Sequence, residues 1–258
     1  DSRRVIGMRA SGSRVMNKSS MRSSWSITVA VLLVAATTSL LRAAEPDPAA
    51  TRRLARLIDQ EWERRLKQQP TFASYLGDRR HNDRWPDVSL EAIQRRHLRL
   101  RSVLQSLEGI DRNKLSPDDQ LNLDLFRHEH EVSIESYRHR WFLVPLTARD
   151  GIQDASSTAD VIRFETLRDF EQWLSRLKSF GTYMDQTISL MKTGLKEKRV
   201  HDREVMERVP AQILRQIVED PERSLFFKPF RRFPDSVSQD DQRRLSQAAR
   251  QAISDGVV

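Results

Sequence analysis

The chain has 258 residues, 38% of them hydrophobic and 31% charged, with only 8 glycines. This suits amphipathic helices and argues against a glycine-rich nucleotide fold or a turn-rich all-β protein. It has no cysteine, which excludes a disulfide, a thiolate nucleophile, a Cys-ligated zinc and a lipoprotein acylation site. The net charge of +8 is uneven: residues 1–44 carry seven basic side chains against Asp1, so the remainder carries only +2, and a nucleic-acid partner loses its main support.

The first element is a leader. Met21-Arg22-Ser23-Ser24-Trp25-Ser26 is a positive start, Ile27 to Leu41 an uncharged and mostly apolar run, and Ala43-Ala44 a small-residue site before Glu45-Pro46-Asp47-Pro48. That order predicts a secretory signal peptide over residues 21–44, cleaved after Ala43 or Ala44. Arg42 or Leu41 occupies the third position before the cut, so the site is not a clean small-x-small pair. A membrane span needs roughly 20 apolar residues, and Thr37, Thr38 and Ser39 interrupt this shorter run, so membrane contact is expected only through an uncleaved leader. Residues 1–20 read as a non-native upstream extension, because the chain opens on Asp1 and Met8, Met16 and Met21 all offer later starts. The expected location is periplasmic or extracellular.

From residue 45 the pattern predicts an all-α, irregular multi-helix array. A first helix is expected over Pro48 to Lys67, capped by Asp47, with Leu54, Ile58, Trp62 and Leu66 on one face. Phe72 to Pro86 reads as irregular. Leu90, Ile93, His97, Leu100, Leu104 and Leu107 form the seam of a second helix, long enough for bundle packing, with His97 as a packing residue.

Ser116-Pro117-Asp118-Asp119 opens a third helix through a capping box, running towards Tyr137 or His139. Thr166 opens a fourth in the same way, and Phe170, Trp173, Leu174, Leu177, Phe180, Met184, Ile188, Met191 and Leu195 predict one continuous face. A fifth spans Asp202 to Val218, kinked or broken at Pro210. Leu225 to Phe230 reads as a packed aromatic loop, and Ser238 caps a last helix with Leu245, Ala248, Ala249, Ala252 and Ile253 inward.

The densest polar cluster is His128-Glu129-His130-Glu131. On a helix Asp124, His128 and Glu131 share a face, as a metal would need. His128 and His130, however, project about 200° apart, and the His-Glu-x-x-His pattern is missing. A solvated charged face is the expectation. His201-Asp202 reads as helix capping, and Asp118/Asp119 and Asp240/Asp241 as acids placed at helix N-termini. No nucleophile elbow or phosphate-binding loop is present. Arg231-Arg232 and Arg243-Arg244 lack an aromatic platform for single strands. The residues by themselves name no catalytic, cofactor-binding or metal-binding side chain.

Several segments, in order, carry a resemblance. Pro70-Thr71-Phe72-Ala73-Ser74-Tyr75-Leu76-Gly77-Asp78 fits a P-T-x-A-x-x-L-G pattern, and Asp87-Val88-Ser89 a D-x-S pattern. Leu107 to Asp111, Leu115-Ser116 and Asp124-Leu125 follow. Trp173-Leu174-Ser175-Arg176-Leu177 and Met191-Lys192-Thr193-Gly194 are similar to Y-x-x-R-L and L-x-x-G segments.

Together, residues 50–258 resemble bacterial domain-of-unknown-function family 885. That resemblance implies an exported, largely helical protein related to zincin-like metallopeptidases, whose whole members carry a His-Glu-x-x-Pro-Gly-His zinc motif. The motif is missing here, so no cofactor is expected in this chain. The resemblance therefore implies the N-terminal part of a larger helical zincin-like fold, inactive alone, with the missing C-terminal half as a partner and an unknown peptide substrate. The alternative is a complete helical binding or scaffold module of the periplasm.

Placing residues 21–44 ahead of a reporter active only outside the cytoplasm should give activity and a mature N-terminus at Ala44 or Glu45. A reporter held in the cytoplasm would overturn the leader reading.

Overall fold

The computed structural model describes residues 45–257. The extension expected at 1–20, the leader expected at 21–44 with cleavage at Ala43 or Ala44, and Val258 lie outside the described residues. All regular structure among the described residues is helical, with no strand. None of the described helices is long and apolar enough to cross a membrane.

Helix α1 (Pro48–Gln68) starts where Asp47 Oδ1 accepts from Ala49 N at 2.8 Å. It packs with α3 (Leu90–Glu108) and α4 (Pro117–His139) around Leu54, Val103, Leu107, Ile110, Leu115 and Leu123. Three ties fix this end: Asp47 N to Lys114 O at 2.7 Å, Thr51 Oγ1 to Asp119 Oδ2 at 3.1 Å, and Arg53 Nη1 to Gly109 O at 2.9 Å. Ser116 caps α4 by accepting from Asp119 N, but its hydroxyl donates to the Asp119 carboxylate. Asp119 thus binds Ser116 and Thr51 side chains, and the reciprocal half of the expected box is not made.

The stretch expected to be irregular contains α2 (Pro70–Tyr75) and a 3-10 turn, Arg79–His81. Pro70 cannot continue α1, but its fixed φ starts a new helix at N1. Gly77, at φ +81°, ends α2: its N–H donates to Ser74 O at 3.0 Å and Asp78 N to Ala73 O at 2.9 Å. These two bonds are a Schellman cap, which needs the left-handed conformation glycine adopts without a Cβ penalty.

A larger aromatic core lies between α6 (Leu167–Lys178), α7 (Phe180–Lys196), the 3-10 stretch Leu225–Arg231 and α10 (Gln239–Gly256). The short helices α5 (Thr158–Val161), α8 (Arg203–Met206) and α9 (Val209–Leu214) lie between these elements in the chain. Phe170, Trp173, Leu177, Leu245, Ala249 and Ile253 have no exposed surface. Trp173 Nε1 donates to Phe226 O at 3.1 Å, giving its buried N–H a partner. Thr166 and Asp169 form the full capping box at the start of α6.

The expected single helix from Thr166 to Leu195 is broken at Ser179, whose φ/ψ of −94°/3° departs from the helix. The break changes the phase of the inward face. Phe180, Thr187, Leu190 and Gly194 are buried in α7, while Ile188 and Leu195 are 46% and 65% exposed.

Pro210 likewise splits the expected fifth helix, sitting in the first turn of α9. Asp202 occupies the cap position of α8 but accepts no side-chain bond, so the capping expected of His201-Asp202 falls to its backbone carbonyl. The expected aromatic loop is a 3-10 coil with Phe226, Phe227 and Phe230 buried. Gly256 is the last helical residue of α10, rather than a left-handed cap.

Arg176, in the last turn of α6 and fully buried, ties the larger core to α2 and the turn that follows it. Its Nη2 donates to Ser74 Oγ at 3.1 Å and His81 O at 2.9 Å, and its guanidinium lies 5.3 Å from the Trp85 ring centre. Trp85 Nε1 donates back to Arg176 O at 2.9 Å. Burial pulls the Arg176 guanidinium down to about 10, with Asp83 opposing, so it remains charged at neutral pH. Beside it Arg79 holds the buried Asp169 carboxylate, with Arg79 Nε donating at 3.1 Å.

A Cβ on Gly194 would lie 2.6 Å from Leu143 O and 2.9 Å from Arg199 O, both backbone atoms. On Gly181 it would meet only Gly256 O, at 4.0 Å. Gly194→Ala should therefore destabilise by about 1–3 kcal/mol in chemical unfolding, and Gly181→Ala should stabilise by about 0.5–1 kcal/mol.

Burial would raise the Asp169 carboxyl, but bonds from Thr166 and Arg79 override it and hold it below its ordinary 3.8. Asp169 then stabilises the fold above the unfolded-state value and loses that contribution as pH falls through it. Below about pH 4, the wild-type stability should drop more steeply than that of Asp169→Asn in urea titrations.

Candidate functional site

The seam predicted for α3 does two different jobs. Leu104 and Leu107 close the N-terminal core, whereas Ile93, His97 and Leu100 line a cleft of about 590 Å³ between α1, α3 and α4. Helix α1 contributes Ile58, Trp62 and Arg65 at helical spacing, and α4 contributes Phe126, His130, Ser133 and Tyr137. The cleft exists because α4 offers Ser133 and Ser136, too small to meet the larger side chains facing them across the bundle. Trp62, expected inside the first helix's stripe, is 45% exposed at the wall and packs edge-on against Phe72 at 6.2 Å.

The far wall comes from the turn after α4. Arg140 takes the left-handed conformation (φ +53°), unusual for a residue with a side chain. The chain then coils through a 3-10 turn, Trp141–Leu143, so that Trp141 and Phe142 line the cleft. Trp141 remains 68% exposed. Three contacts hold the turn on α7: Arg140 Nη2 to Glu197 at 2.9 Å, Arg199 Nη1 to His139 O at 2.7 Å, and the close approach of Gly194 to Leu143.

His97 packs as expected, stacked on Tyr137 with ring centres 3.9 Å apart. Burial, then Arg101, holds its pKa below the ordinary imidazole value, so it is neutral at pH 7. Its Nδ1 is buried with no hydrogen-bond partner among the described residues. His97 and Tyr137 also line a second cavity of about 470 Å³ with Arg101, Ile134, Arg138 and Arg140.

The polar cluster on α4 is divided. His128, Glu129 and Glu131 are exposed, as expected of a solvated face, with Glu129 Oε1 bound by Arg65 at 2.9 Å. His130 departs from that expectation. It is 5% exposed, its Nδ1 sits 2.7 Å from Phe126 O, and its ring packs on Phe126 at 4.3 Å. Arg112 holds Asp124, with Nη2 at 2.8 Å. Among the described residues no three His, Asp or Glu side chains converge as a metal would require.

The cleft lining carries Arg64, Arg65, Arg96 and Arg99 against Glu61 and Glu129. Glu61 is shared by Arg99 Nε at 2.9 Å and Arg64 Nε at 3.3 Å. Both carboxylates are thus engaged by guanidinium groups, which suits ion pairing rather than proton transfer. A helical seam cannot reveal this cleft, because Ile93 and Leu100 have the same spacing whether the neighbouring helix meets them or not. The α4 signal was available in Ser133, a polar residue two turns beyond Phe126 on the same face.

An all-helical frame with an aromatic, cationic cleft defines the structural class. The family model described as "Bacterial protein of unknown function (DUF885)" matches residues 70–258, and the chain belongs to that family. No curated protein matches it. Four of the segments carrying the resemblance have clear structural roles here: Gly77 caps α2, Ser89 caps α3, Arg176 ties α6 to α2, and Gly194 admits the 140s turn.

Proposed function

We propose that this chain is the helical, ligand-holding part of an exported hydrolase related to zincin-like metallopeptidases, with catalytic groups outside this sequence. One observation carries the reading: the cleft is lined by aromatic and apolar side chains, and both of its carboxylates are engaged by arginines. Clefts of roughly 300–1,000 Å³ lined by aromatic side chains and a few polar groups are the usual form of a small-ligand site. Family membership and the ordered segments support the relationship, and the leader supports export. The C-terminal half of the hydrolase would then be its partner.

A second reading, a helical binding or scaffold module acting alone in the periplasm, draws on the same cleft. It differs in requiring no catalytic partner.

The purified chain should contain no stoichiometric zinc by elemental analysis after dialysis and should not cleave a mixed peptide library. One zinc per chain, or peptidase activity abolished by a chelator and restored by zinc, would overturn the proposal.

A further inference from the structure

Arg96 distinguishes the cleft from an ordinary apolar gap. Its Nη1 donates to Asp87 O at 2.8 Å, but among the described residues no carboxylate lies in ion-pair contact with it. The other three guanidinium groups of the lining bind Glu61 or Glu129. Arg96 is only partly exposed, and burial, the largest influence on it, lowers its pKa, while the charge of Asp87, outside ion-pair distance, opposes this. A poorly hydrated cation gains most from an anion that brings its own charge into the site.

The rest of the lining limits what that anion can be. Trp62 and Trp141 expose broad aromatic surface, and Ile93 and Leu100 supply an apolar wall. A polyanion would need several uncommitted cations, whereas the ion pairs leave Arg96. The fit is therefore to a single negative charge on a largely apolar body.

We infer that the cleft between α1, α3 and α4 binds a small amphiphilic carboxylate, with its anion on Arg96 and its apolar body between Trp62 and Trp141. The inference rests on the reading of this cleft as a ligand site and gives that ligand a chemical class. The carboxylate can belong to a peptide C-terminus with apolar side chains or to a fatty acid. Both present the same chemistry to Arg96.

The test is calorimetric titration of the full chain at pH 7 with N-acetyl-Phe-Leu, its C-terminal amide and decanoate, with tryptophan emission as a second readout. At least one acid should bind one per chain. If the peptide acid binds, it should do so about tenfold more tightly than its amide, the size of one charge-assisted contact. Preference for the peptide acid identifies the first source, and preference for decanoate the second.

Arg96→Gln should weaken the bound acid about tenfold and leave amide binding unchanged. Ser133→Leu, which fills the cleft without removing a charge, should abolish binding of the acid while the thermal midpoint is retained. This second variant keeps the test intact if Arg96→Gln does not fold. Equal affinity for acid and amide would overturn the carboxylate assignment while leaving a ligand cleft. Binding of neither acid would overturn both, and an acid still bound by Ser133→Leu would remove the site from this cleft.

Discussion

Arg176 is a charged side chain with no solvent exposure, and one distant segment, from Ser74 to Trp85, encloses it. Ser74 comes from α2 and the His81 carbonyl from the turn that follows, while Trp85 covers the guanidinium face. Its placement in the last turn of α6 also sets the cation where the helix dipole favours it. Arg79 and Asp169 repeat the connection in the opposite sense, with the cation on the turn and the anion at the start of α6. The two pairs fix both ends of one short helix to the same segment. Removing Ser74 would strip the buried guanidinium further, because its Nε and Nη1 already have no hydrogen-bond partner among the described residues.

That connection positions the N-terminal helices without filling the space between all of them. Leu54, Val103, Leu107 and Leu123 close one end of the three-helix group. Towards the other end α4 presents Ser133 and Ser136, and the helices leave a cleft instead of a core. The left-handed Arg140 and the missing side chain of Gly194 then allow the following turn to approach α7 and form the cleft's far wall. Rigidity in one half and a recess in the other thus arise from neighbouring parts of the same helices.

The family segments and the cleft divide the work between them. Ser74, Gly77, Ser89, Arg176 and Gly194 cap helices, tie α6 to α2 or permit close approach. The cleft draws on different residues, among them Trp62, Arg96, Ser133 and Trp141. Helix α1, which supplies Trp62 and Arg65, precedes the stretch matched by the family model.

Local chemistry made the caps readable from sequence. Asp47, Ser116, Thr166 and Ser238 each precede a helix they begin, because a short side chain there meets orphan backbone donors within three residues. The all-helical class and most of the inward apolar residues follow from the same short-range rules. Tertiary contacts decided what periodicity cannot express. The break at Ser179 rotated the face of α7. His130, by contrast, shares the helical face of Leu123 and Phe126 and bonds the Phe126 carbonyl one turn before it, so its burial follows the helical period that its charged neighbours obscured. Arg176 acquired its role only when residues 102 and 95 positions away arrived beside it. Whether Ile93 and Leu100 line a core or a cleft likewise depends on side chains supplied by other helices, and sequence spacing within one helix contains no measure of that distance.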